Sequence, residues 1–114
     1  MSNIEKGRQG EELVHQYLIE KGYMILDRNF RYQHREIDII ALKNDILVFV
    51  EVKVRNSDEY GQGLESITAR KKRNIVSVAR YYVERKGLQD HNVRFDVASV
   101  DGSNLDYIES AFQI

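Results

Sequence analysis

The chain has 114 residues, 42% hydrophobic and 31% charged, with a net charge of -1, no cysteine and no proline; that length buries one core, so a single domain over residues 1–114 is expected. Without cysteine there is no disulfide, thiolate zinc site or thiol nucleophile, and any metal must be held by oxygen or imidazole, a donor set that suits magnesium best. No run of roughly 18 apolar residues exists, and the opening MSNIE has neither the basic start nor the apolar stretch of a secretory signal, so a cytoplasmic protein without membrane contact is expected.

Residues 4–21 carry Leu13, Val14, Tyr17 and Leu18 at helical spacing, and Gly22 stands where a left-handed C-cap would end a helix. Residues 23–30 and 37–42 read as short strands, and residues 46–54 as the strongest strand of the chain. Lys43, Asn44 and Asp45 form a plausible tight turn, which makes the second and third strands an antiparallel hairpin. The polar stretch NSDEYGQG at 56–63 suits a loop. A second helix is expected from about 65 to 86, with Ile67, Ile75, Val78, Ala79 and Tyr82 as its apolar stripe and Gly87 closing it. A strand over 93–100, a turn at 101–104 and a last strand or short helix over 105–112 complete an α/β order αβββαβ(β), a mixed sheet flanked by helices.

Charge is unevenly spread. Residues 64–87 hold seven basic and two acidic side chains, a local +5, whereas residues 88–114 hold five acids and one base, a local -4. A basic helix of this kind is either a solvated face or a contact for phosphates. Arg70, Lys71, Lys72 and Arg73 open it, and Arg31 with the neighbouring Phe30 and Tyr32 forms a second basic group, with rings that can stack on bases or simply pack.

The strand ILVFVEVKV at 46–54 places Val48, Val50, Val52 and Val54 on one face and Leu47, Phe49, Glu51 and Lys53 on the other. An apolar face that ends in a carboxylate and an ammonium needs a reason, because isolated buried charges are costly; the pair should be joined, metal-bound or at the rim. The hairpin partner repeats the pattern, with Glu36, Asp38 and Ile40 on one face and Ile37, Ile39 and Ala41 on the other. Glu11, on the edge of the first helix's apolar stripe, can point at the same place. Converging carboxylates repel unless a cation neutralises them. A hard metal held by Asp38, Glu51 and the Val52 carbonyl, with Lys53 beside it, suits phosphodiester hydrolysis. The competing reading is a surface ion pair on an amphipathic hairpin. His15, His34 and His91 show no paired ligand spacing, and Asp96 is expected to pair locally.

Glu11, then Asp38, a gap of 12 residues and Glu51-Val52-Lys53 resemble the PD-(D/E)XK nuclease pattern. More specifically, Gly10-Glu11, Tyr17-Leu18, Gly22-Tyr23, Leu26-Asp27-Arg28-Asn29, Glu36-Ile37-Asp38, the run 48–55, Tyr60-Gly61, Ser66-Ile67-Thr68, Lys71, Ala79-Arg80 and Arg94-Phe95-Asp96-Val97 resemble the bacterial YraN family over nearly the whole chain. The resemblance implies a restriction-endonuclease-like fold similar to that of archaeal Holliday-junction resolvases, with Asp38, Glu51 and Lys53 in the motif positions and Glu11 as the helix acid. Where that family usually has glycine before Glu-Ile-Asp, this chain has Arg35, so a differently shaped turn is expected there. The expected function is a magnesium- or manganese-dependent endonuclease acting on DNA, branched or structured DNA included, with Arg31, Arg55, Arg70, Lys71, Lys72 and Arg73 as nucleic-acid contacts. The alternative is a catalytically silent nucleic-acid-binding or scaffold module of the same fold. Two-strand cleavage by so small a domain would favour a homodimer.

Overall fold

A computed structural model describes residues 3–55 and 67–113. Its elements are α1 (Asn3–Glu20), β1 (Met24–Tyr32), β2 (Arg35–Lys43), β3 (Ile46–Val54), α2 (Ala69–Lys86), β4 (Asn92–Asp101) and β5 (Asn104–Phe112). This is a restriction-endonuclease-like α/β arrangement in the order αβββαββ. The strands lie in the order β1-β2-β3-β4-β5, all antiparallel to their neighbours except the parallel pair β3 and β4, which the α2 crossover connects.

The local chemistry accounts for the boundaries. α1 ends at Gly22, whose φ of 93° lets its N–H reach the Ile19 carbonyl while Tyr23 N–H reaches Leu18. β1 and β2 run further than the apolar pattern indicated. They meet at a two-residue turn, Gln33-His34, where both φ values are positive (52° and 65°), the geometry that matches strand twist in a tight hairpin. Arg35 follows that turn as the first residue of β2, paired with Tyr32 and outside the left-handed region, so arginine is compatible with the backbone there. α2 begins at Ala69 rather than near 65, because Thr68 caps it: its extended backbone precedes the helix and its hydroxyl accepts the Lys71 N–H at 3.1 Å. The expected loop at 56–63 and the 65–66 start lie outside the described residues. The last element is a strand.

β3 is central, and Leu47, Val48, Phe49 and Val50 are all essentially inaccessible to solvent. Leu47 and Phe49 pack under α2 with Ile75, Val78, Tyr82, Phe95 and Val97, whereas Val48 and Val50 pack under α1 with Val14, Leu18, Ala98 and Val100. The two helices thus cover opposite faces of the sheet, which is why this strand reads as continuously apolar. β2 departs from strict alternation. Ile39 and Ala41 face α1, but Ile37 shares the α2 cluster with Ile40, so the expected grouping of Ile37 with Ile39 is corrected. The exchange of faces occurs at Asp38, between the pairs Arg28↔Ile39 and Phe30↔Ile37, where Asn29 of β1 adopts a φ of 52°.

Candidate active site

The site is built where one ladder stops and another continues. Pairing of β2 with β3 runs from Lys43↔Ile46 to Ile39↔Val50 and ends, while β3 stays paired with β4 through Val54↔Val100. Glu51, Val52 and Lys53 therefore lie beyond the last β2–β3 pair, on an edge opened by the divergence of β2. Asp38 stands at the fork. Its Oδ2 accepts the Val52 N–H at 2.7 Å, a carboxylate in the place of the missing backbone partner.

Both motif acids are largely buried. Burial, followed by the neighbouring Glu51 charge, pushes the Asp38 carboxyl up to about 7, although the Val52 N–H opposes the shift. Glu51 also lies above the ordinary carboxylate range, raised by burial and held back by Lys71 and Lys53. Lys71 Nζ sits 2.8 Å from Glu51 Oε1, and the Thr68 cap fixes that residue in the first turn of α2. Glu36 adds repulsion to both acids. Two carboxylates that disfavour each other's charge, with hard oxygen donors and no thiolate nearby, are a donor set that magnesium or manganese fits.

Glu11 takes a different position in this arrangement. Gly10 brings α1 against the end of β3, since a Cβ there would stand 2.6 Å from Val54 Cγ2. The Glu11 charge is felt at Asp38, but its carboxylate is engaged by Arg28 Nη2 at 3.7 Å. Among the described residues no three His, Asp or Glu side chains stand together as a metal-holding group. The three-acid convergence thus reduces to Asp38 and Glu51, with Glu11 at longer range. Lys53 follows Glu51 on the same face, next to Ser99 of β4, and the buried Ser99 Oγ has no hydrogen-bond partner among the described residues. Neither Ser99 nor Arg28 carried a sequence signal for its part in this surround.

The six expected nucleic-acid contacts separate. Arg70 and Arg73 are exposed on α2, Lys72 lies 5.7 Å from the Phe112 ring centroid, and Lys71 turns inward to Glu51. Arg31 is exposed and pairs with Glu36 at 3.3 Å. Arg55 donates its backbone N–H to Val100 at 2.7 Å, while its Nε is buried with no partner among the described residues. Asp96 pairs locally, with Arg94, Tyr107 and Ser110. It is fully buried and accepts from Arg94 Nε at 2.9 Å, Tyr107 Oη at 2.7 Å and the Ser110 N–H at 2.9 Å.

Comparison with known sequences covers most of this frame. The family described as uncharacterised protein family UPF0102 matches residues 10–100, which includes every motif residue from Glu11 to Lys53 and the strand holding Asp96. The chain belongs to the UPF0102 family. A UPF0102 protein of Clostridium acetobutylicum is 46% identical over 98% of this chain and 97% of its own length. One from Alkaliphilus metalliredigens is 43% identical over 93% and 96%, and one from Persephonella marina 41% over 96% and 94%. UPF0102 is the family that the motif set from Gly10-Glu11 to Arg94-Phe95-Asp96-Val97 resembles under the name YraN. Among the described residues, no helix is long and apolar enough to cross a membrane.

Proposed function

We propose that the chain is a metal-dependent endonuclease of the PD-(D/E)XK type acting on DNA, branched or structured DNA included. The observation that carries this reading is the pairing of Asp38 and Glu51 at the fork of β2 and β3, both raised by burial and flanked by Lys53. Asp38, Glu51 and the Val52 carbonyl would hold magnesium or manganese, which when bound supplies Lewis-acid polarisation of the phosphoryl group and of the attacking water. Lys53 places a positive charge where negative charge grows on the phosphorus oxygens. The Val52 N–H fixes the Asp38 carboxylate through Oδ2.

One observation favours a second reading. The 2.8 Å contact from Lys71 gives Glu51 an internal counter-ion, so a catalytically silent nucleic-acid-binding module could keep these acids without a metal. Incubation with plasmid and with a four-way DNA junction, in magnesium or manganese, separates the two. The endonuclease reading expects cleavage by the wild type and a loss of at least about a hundredfold in both Asp38→Ala and Glu51→Ala. Equal cleavage by all three would mark a contaminant and remove the assignment; binding without cleavage under either metal would favour the silent module.

A further inference from the structure

Beyond the carboxylates, α2 carries a second feature. A cleft of about 580 Å³ runs along its outer side and is lined by Tyr32 of β1 and by Lys72, Arg73, Arg80 and Tyr81 of the helix, with Glu84 as its acidic member. Three cations against one carboxylate make this an anion-attracting surface. Arg73 and Arg80 are both exposed and seven residues apart, two helical turns on one face. Their separation along the axis is roughly 10 Å, enough for the two guanidiniums to meet different phosphates of one strand.

The cleft also presents rings. Tyr32 and Tyr81 lie nearly parallel, 10° apart with centroids at 3.8 Å, and Phe30 backs Tyr81 at 6.3 Å. This is a pre-stacked, sequence-indifferent platform beside phosphate-binding cations, the combination used to hold unpaired strands, whose bases are free to stack on side chains. A paired duplex keeps its bases inside and could use only the cations. The cleft is joined to the candidate active site by shared parts. Arg35, three residues before Asp38, donates from Nη1 to Ser77 Oγ in the cleft at 3.0 Å, and Lys71, which holds Glu51, lies two residues before Arg73.

We infer that this cleft binds an unpaired DNA strand, with phosphates on Arg73 and Arg80 and a base stacked on the Tyr32–Tyr81 pair. The inference deepens the endonuclease reading and rests on it for the choice of DNA. It assigns the unpaired arm of a branched or flapped substrate to the outer face of α2, leaving the junction toward Asp38 and Glu51.

The test uses the full chain in chelator, so that binding is read without cleavage, with a fluorescein-labelled oligothymidylate of about 15 nucleotides and a duplex of equal length as probes. Wild type should bind the single strand more tightly than the duplex. Arg73→Gln with Arg80→Gln should weaken single-strand binding about tenfold and lower the slope of log affinity against log salt by roughly 1.4, about 0.7 for each lost phosphate contact. Tyr81→Leu should weaken it by about fivefold to a hundredfold with the slope unchanged. Arg85→Gln with Lys86→Gln removes the same charge from the same helix outside the cleft and should change affinity less than about twofold. Equal binding of duplex and single strand, or equal losses in the two double variants, would overturn the inference. Far-UV circular dichroism checks folding, and if Tyr81→Leu unfolds the exposed arginine pair decides alone. A chain that binds in this way but never cuts overturns the endonuclease reading only; one that cuts while the cleft variants bind like wild type overturns the cleft only.

Discussion

Replacing Asp38 by asparagine isolates the electrostatic strain of the site. Asparagine keeps an oxygen for the Val52 N–H, which Asp38 accepts at 2.7 Å, and removes the charge that burial and Glu51 oppose. With the Asp38 carboxyl near 7 rather than at 3.8, the folded chain holds this proton more tightly than the unfolded chain. Protons are therefore taken up on folding between those two values, and metal-free stability falls as pH rises through that window. About three pH units at 1.36 kcal/mol each bound the effect at roughly 4 kcal/mol, and because Asp38 and Glu51 share the repulsion we expect about 2–4 kcal/mol. Urea unfolding in chelator at pH 5 and pH 8 covers about two of those three units, so wild type should lose about 1.5–2.5 kcal/mol relative to Asp38→Asn between the two. Magnesium should then stabilise wild type at pH 8, by about 2.7 kcal/mol at a hundredfold excess over its dissociation constant, and leave Asp38→Asn unmoved. If wild type shows no loss relative to Asp38→Asn between these pH values, and magnesium treats both alike, the account of the site as strained carboxylates awaiting a cation is wrong.

Three further substitutions probe its surroundings. Lys71→Met removes the counter-ion from Glu51 and should cost about 1–3 kcal/mol at pH 8 and less toward lower pH, because burial already favours the protonated Glu51; urea titration at pH 8 and pH 5 reads this. Gly10→Ala forces a Cβ against Val54 and should destabilise by about 1–3 kcal/mol in thermal melts while also lowering cleavage, because it displaces Glu11 and the end of β3. Asp96→Ala strands the largely buried Arg94 guanidinium and should cost about 3–5 kcal/mol in urea without altering metal binding by calorimetry, since Asp96 is engaged by Arg94, Tyr107 and Ser110.

Legibility in the sequence followed how local each cause is. β3 could be read because nine residues of alternating valine, unbroken by a turn former, record a central strand, and Gly22 and Gly87 mark helix ends through their own backbone freedom. The Gln33-His34 turn escaped because neither residue is glycine or asparagine, so the strands on either side were read short. The start of α2 was placed early because the apolar stripe includes Ile67, whereas the Thr68 cap determines where helical hydrogen bonding begins. At the site, Asp38, Glu51 and Lys53 were visible from strand periodicity plus the motif. The engagement of Lys71 with Glu51 and of Arg28 with Glu11 was not, because a pairing between elements 17 or 20 residues apart leaves no periodic trace. The face exchange at Asp38 was equally hidden, since it depends on the positive φ of Asn29 on the neighbouring strand.

The fork itself separates structural need from functional use. Where β2 leaves β3, the Val52 N–H requires an acceptor, and asparagine or serine at position 38 could supply one with no charge at all. The chain instead has a carboxylate, set in a buried place beside a second one, with Glu36 and Glu11 adding to the repulsion. Capping the strand edge explains an oxygen at this position but not an acid. Lys71 partly offsets the strain at Glu51, whereas the largest influence opposing the shift of Asp38 is the neutral Val52 amide. Under the proposed endonuclease reading, a negative charge kept where folding would favour a neutral acceptor would be balanced by a positively charged ligand at Asp38, a demand that the silent module does not make.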